Sequence, residues 1–120
     1  MSMVSGVVLT FSIADEAGAA AIPVINAWLD QHGNNPLADV TDHTGGHKHP
    51  QIEVWAGGFN RLDETAFAAV VMRLEWQMPE NVVLIINPDE GGASVFRPNG
   101  CNEDWPTQYT GTWRVDPAPV

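Results

Sequence analysis

The chain is 120 residues long, one domain's worth, and its 44% apolar content excludes disorder over most of that length. Fifteen acidic residues against five basic ones give a net charge of −10, which sets the surface against phosphate backbones and anionic lipid headgroups. Direct nucleic-acid or membrane binding is therefore not expected, whereas a basic protein partner or a cation suits the charge. Cys101 stands alone, so no intrachain disulfide can form, and no apolar run approaches the roughly 20 residues of a membrane span. With no basic-then-apolar leader, the expectation is a cytoplasmic protein.

Val7 to Ile13 reads as a central strand, with Val7, Leu9, Phe11 and Ile13 on one face and Val8, Thr10 and Ser12 on the other. A helix follows, capped by Ser12 or Asp15. Pro23 removes a donor from it, which predicts a break or kink near Ala21-Ile22. Ile22, Ile25, Trp28 and Leu29 form an apolar stripe, and Gly33 occupies the place of a left-handed C-cap.

Leu37 to Thr41 and Gln51 to Phe59 read as a hairpin, with Ile52 and Val54 turned to the core and Glu53 and Trp55 to the opposite face. Asp63 caps a second helix that buries Phe67, Val70, Val71, Leu74 and Met78 and stops at Pro79, leaving Trp76 partly exposed near its end. Val82 to Ile86 is an apolar run suited to a buried strand, and Pro88 to Gly92 turns it into a partner at Ala93 to Arg97. Beyond Pro98 the chain is polar and Pro-rich. It nonetheless carries Trp105, Tyr109 and Trp113, and the alternation of Tyr109, Gly111, Trp113 and Val115 predicts a last strand.

The order strand, helix, strand, strand, helix, strand predicts an α+β, ferredoxin-like split βαβ sandwich: two helices on one face of an antiparallel sheet, an extra C-terminal hairpin and an aromatic tail. Residues 1–97 form the domain. Residues 98–120 are a Pro-rich aromatic tail that packs on the domain or on a partner.

Three of the four histidines and the only lysine lie between His43 and His49. With Thr44-Gly45-Gly46 as a hairpin tip, His43 faces His47 and Thr41 faces His49. The two-residue period then aligns Asp39, Thr41, His43, His47, His49, Gln51, Glu53 and Trp55 on one face. His43, His47 and His49 with Asp39 form a candidate site for Zn²⁺, which takes three or four such ligands. A flexible Gly-Gly loop is poorly organised for ligation, so the chain is expected to hold no cofactor, and a solvated polar turn is the competing reading.

Catalytic motifs are missing. Cys101 lacks a nucleophile turn, and the pairs Asp63-Glu64, Asp89-Glu90 and Glu103-Asp104 are adjacent residues of caps and turns. Gly57-Gly58 and Gly91-Gly92 lack the lysine of a phosphate loop. The chain is expected not to be an enzyme. The candidate interaction residues are Trp55, Glu53, Trp105, Tyr109 and Trp113, since tryptophan and tyrosine anchor protein interfaces.

Glu53-Val54-Trp55-Ala56-Gly57-Gly58-Phe59-Asn60, then Leu62-Asp63, Trp76 and Pro79-Glu80-Asn81-Val82, resemble small acidic single-domain proteins of unknown function from actinobacteria and their phages, over residues 35–97. The resemblance implies a phage accessory protein that binds and modulates a host protein in the host cytoplasm. The expected function is thus a noncatalytic protein-interaction module that binds a partner or itself through the open sheet face and the aromatic tail. A divalent-metal protein or metal-dependent enzyme built on His43, His47 and His49 is the alternative. Nucleic-acid mimicry is a second alternative, although the carboxylates are scattered rather than blocked.

Overall fold

The computed structural model describes residues 4–98 and the backbone of 113–114. Strand β1 (Val4–Ser12) is followed by helix α1 (Gly18–Gln31), strands β2 (Ala38–Asp39) and β3 (Ile52–Asn60), helix α2 (Glu64–Arg73), and strands β4 (Val83–Pro88), β5 (Ser94–Phe96) and β6 (Trp113–Arg114). The strands form one antiparallel sheet in the order β2-β3-β1-β4-β5-β6. The expected α+β class, an antiparallel sheet with two helices, is what the chain adopts. No helix among the described residues is long and apolar enough to cross a membrane.

Ser5, Val7, Leu9 and Phe11 are buried at alternate positions of β1, which places them on one face of the central strand. Both helices close over that face: Ile22, Ile25 and Leu29 of α1 and Phe67, Ala68 and Val71 of α2 share one core with Val7, Leu9, Phe11, Leu84 and Ile86. β1 ends one residue early for its predicted pattern, so Ile13 is exposed rather than in the core.

The connection from β1 to α1 is built by side chains that were expected to cap the helix. Ser12 Oγ accepts from the Ala14 N–H at 3.1 Å and Asp15 Oδ1 from the Ala17 N–H at 2.9 Å, whereas the capping position of the helix, Ala17, provides no side-chain cap. Gly18 follows because a Cβ there would run into the Phe11 ring. The predicted break at Ala21-Ile22 does not occur: α1 runs unbroken through Pro23. Pro23 lies only five residues into the helix and is exposed, so the carbonyl it fails to serve belongs to the first turn and faces water. Gly33, at φ +78°, ends the helix as expected.

α2 begins as predicted, with Asp63 Oδ1 accepting from the Ala66 N–H at 3.1 Å, but it ends at Arg73 rather than at Pro79. The chain turns back there because Trp76 folds beneath the helix end. Its indole N–H donates to the Val71 carbonyl at 2.9 Å, and its ring lies 5.1 Å from that of Phe11. Trp76 is therefore core, not partly exposed.

Candidate functional site

The register of β3 overturns the expected orientation of its aromatic residue. Leu9 pairs with Trp55, Phe11 with Glu53 and Ser5 with Phe59. Residues directly opposite one another in a ladder share a face, so Glu53, Trp55, Gly57 and Phe59 are on the helix-covered side, and Ile52, Val54, Ala56 and Gly58 on the other. Trp55 is half-buried against the core, and its indole N–H donates to Glu53 Oε1 at 3.1 Å. Neither residue belongs to the open face, contrary to expectation. Phe59 sets the phase, being buried with its ring close over Gly57, where a Cβ would come within 2.7 Å of Phe59 Cζ.

The histidine segment also departs from the predicted hairpin. Asp39 pairs with Trp55, not with Gln51. β2 stops after two residues, and Thr41–His43 forms a 3₁₀ turn. The turn is pinned through Thr41, which is buried. Its hydroxyl accepts from the Val54 N–H at 2.9 Å, and its own N–H donates to Asp39 Oδ1 at 3.0 Å. The Thr41 hydroxyl, with this backbone bond, lowers the Asp39 pKa. His43 is thereby lifted out of any ladder with His47, and the eight-residue row does not form.

Residues 42–49 are all exposed. His49 Nε2 lies 3.2 Å from Asp42 Oδ1, and His49 Nδ1 lies 2.8 Å from the Pro50 carbonyl oxygen. Among the described residues no three His, Cys, Asp or Glu side chains converge in a way that could hold a metal ion. Trp105 and Tyr109, with Cys101 and Glu103-Asp104, lie outside the described residues. Trp113 is placed by its backbone alone, opposite Val95.

The face away from the helices is the open sheet face that the sequence pointed to, but the residues on it are not those expected. Ala38, Ala56, Val8, Ile85, Val95 and Trp113 occupy one continuous register line across all six strands. Beside it run Gly58, Gly6 and Asn87, and on its other side Val54, Thr10 and Val83. Among the described residues no strand position on this face carries a charged residue, in a chain with fifteen carboxylates. A shallow hollow of about 520 Å³ opens on it, lined by Gly6, Val8, Ala56, Ile85 and Asn87 among others. The available signal was the wholly apolar run at β4: a strand apolar on both faces expects cover on both.

The chain matches no family model, and comparison with curated proteins and with solved structures returns no match.

Proposed function

We propose that this protein is a noncatalytic interaction module whose docking surface is the open face of the sheet. The observation that carries this reading is the uncharged apolar line from Ala38 through Ala56, Val8, Ile85 and Val95. An antiparallel sheet with one face in water ordinarily alternates apolar-in and polar-out, and loss of charged residues is the compositional mark of an interface centre. Here the polar half of that alternation is largely missing. The carboxylates of the described residues lie elsewhere, where they would steer a basic protein partner and repel nucleic acid. The partner is a second copy of the chain or, in the setting implied by the resemblance to phage and actinobacterial proteins, a host protein.

The finer architecture belongs to the same reading. Strands β2-β3-β1-β4, with α1 joining β1 to β2 and α2 joining β3 to β4, support a ferredoxin-like unit extended at one edge by β5 and β6.

The test replaces Val8 and Ile85 by glutamate and compares capture of binding partners, the chain itself included, with that of wild type. Val24→Glu, an exposed change on α1, is the control. Capture should be lost in the double variant and kept in the control, with both folded by circular dichroism. Equal capture by all three proteins would overturn the proposal.

A further inference from the structure

The occupant of the open face can be argued from its shape, charge and extent. We infer that a second copy of this chain packs on it, sheet against sheet; this inference rests on the docking face proposed above.

The first argument is self-complementarity. The line Ala56-Val8-Ile85 stands beside the lower line Gly58-Gly6-Asn87, two residues along the strands. A two-fold axis lying between these lines, in the plane of contact, sets Ala56 and Val8 of each copy over Gly58 and Gly6 of the other, with Ile85 over Asn87. A closed pair requires this property of a single patch. The glycines are not demanded by the fold of one copy. Neither has a positive φ, a Cβ at Gly58 meets nothing within 4 Å, and one at Gly6 meets only the Asn87 carbonyl oxygen at an ordinary 3.5 Å. Mid-strand glycine weakens a strand relative to alanine and is expected where another surface comes close.

The second argument is charge. Each copy carries −10, so association through any carboxylate-bearing surface is opposed. The open face brings none of its strand residues into like-charge contact, and the repulsion that remains is long-range and screened by salt.

The third is extent. With each strand residue covering about 16 Å² of sheet, the strands present about 500 Å² per copy and about 1,000 Å² for the pair. That is about the least a specific interface requires, and it fits a reversible dimer. Of the C-terminal stretch, the described strand β6 enters the sheet at its edge beside β5.

The test is sedimentation of the full-length chain over about 1 to 100 µM, a range that brackets micromolar affinity. Wild type should dimerise, and added salt should tighten the dimer. Val8→Glu should remain monomeric. Gly58→Val, which adds bulk to the lower line without crowding its own copy, should weaken the dimer at least tenfold while leaving the melting temperature of the monomer unchanged or higher. A dimer that persists unchanged in both variants overturns the inference, as does a monomeric wild type.

Two further readouts keep the docking face and its occupant distinguishable. If wild type is monomeric but the Val8-Ile85 variant still loses capture of a different protein, the docking face stands and the second copy does not. If the monomer protects a Val8→Cys thiol from alkylation in a Cys101→Ser background, residues 99–120 cover the face, and the second copy is again excluded.

Discussion

Asp15 Oδ2 lies 2.9 Å from the backbone nitrogen of Met78, across 63 residues of sequence. Its other oxygen accepts from Ala17 at 2.9 Å and Gln77 at 3.2 Å, and the Glu16 N–H donates to the Gln77 side chain at 3.0 Å. One buried carboxylate thus joins the turn before α1 to the segment after α2, and both helices are held on the same sheet face by it. Asp15→Ala removes the acceptor from three backbone donors and should cost about 2 kcal/mol, read as a lower urea midpoint at unchanged slope. Asp15→Asn keeps one acceptor oxygen and should fall between wild type and alanine.

Trp76 contributes to the same corner by a different route. Its ring packs on Phe11, and its N–H donates to the Val71 carbonyl, to which the end of α2 gives a long bond from the Leu74 N–H at 3.4 Å. Trp76→Phe keeps most of the packing and loses the bond, so about 1 kcal/mol is expected. Trp76→Ala also opens a cavity and should cost about 3–5 kcal/mol. Equal losses in the two variants, measured by denaturant titration, would show that the hydrogen bond and not the packing holds this corner.

Asp39 supplies the pH dependence. The Thr41 hydroxyl, then the Thr41 N–H, and last the nearby His43 charge hold its pKa below the ordinary 3.8, with desolvation acting in the opposite direction. A carboxylate with a depressed folded pKa contributes stability that is fully present above its unfolded value and is lost as pH falls through the folded one. The gap in stability between wild type and Asp39→Asn should therefore hold from neutral pH down to about pH 5 and close below pH 4. Because Asp39 is exposed, the gap is small, and a side-chain NMR titration of Asp39 in wild type and Thr41→Val is the sharper measurement. The Asp39 midpoint should move up in Thr41→Val.

The elements that sequence made legible are those with one apolar face. β1 shows Val7, Leu9 and Phe11 in alternation, and α2 shows Asp63 before Phe67 and Val71; both formed with those residues buried, although β1 stops at Ser12 and α2 at Arg73. β3 was ambiguous because it is apolar on both sides. Ile52, Val54 and Ala56 compete with Trp55 and Phe59 for the core, and a slip of one residue exchanges the faces. The deciding contact, the Phe59 ring over Gly57, is tertiary. The histidine segment failed for a related reason: a Gly-Gly tip predicts a tight hairpin, but the register is fixed four residues away by Ala38 opposite Ala56 and by the buried Thr41 hydroxyl. The open face was legible as a docking surface but its residues were not: Trp55 was assigned to it, and the apolar excess of β4 was read as burial within the fold.

Trp55 separates the two ways of reading β3 by experiment. On the open face it would anchor a partner, and Trp55→Ala would abolish association while sparing the fold. On the helix-covered face, opposite Leu9 and hydrogen-bonded to Glu53, it is part of the packing. Trp55→Ala should then cost about 2–3 kcal/mol, less than a fully buried tryptophan because the ring is half-exposed. Trp55→Phe should cost about 1 kcal/mol or less, and Glu53→Gln, which keeps an acceptor for the indole, less still. The open-face variant Val8→Glu should behave in the opposite way, with association lost and the urea midpoint nearly retained. A Trp55→Ala protein as stable as wild type would return this residue to the open face and reverse the assignment of β3.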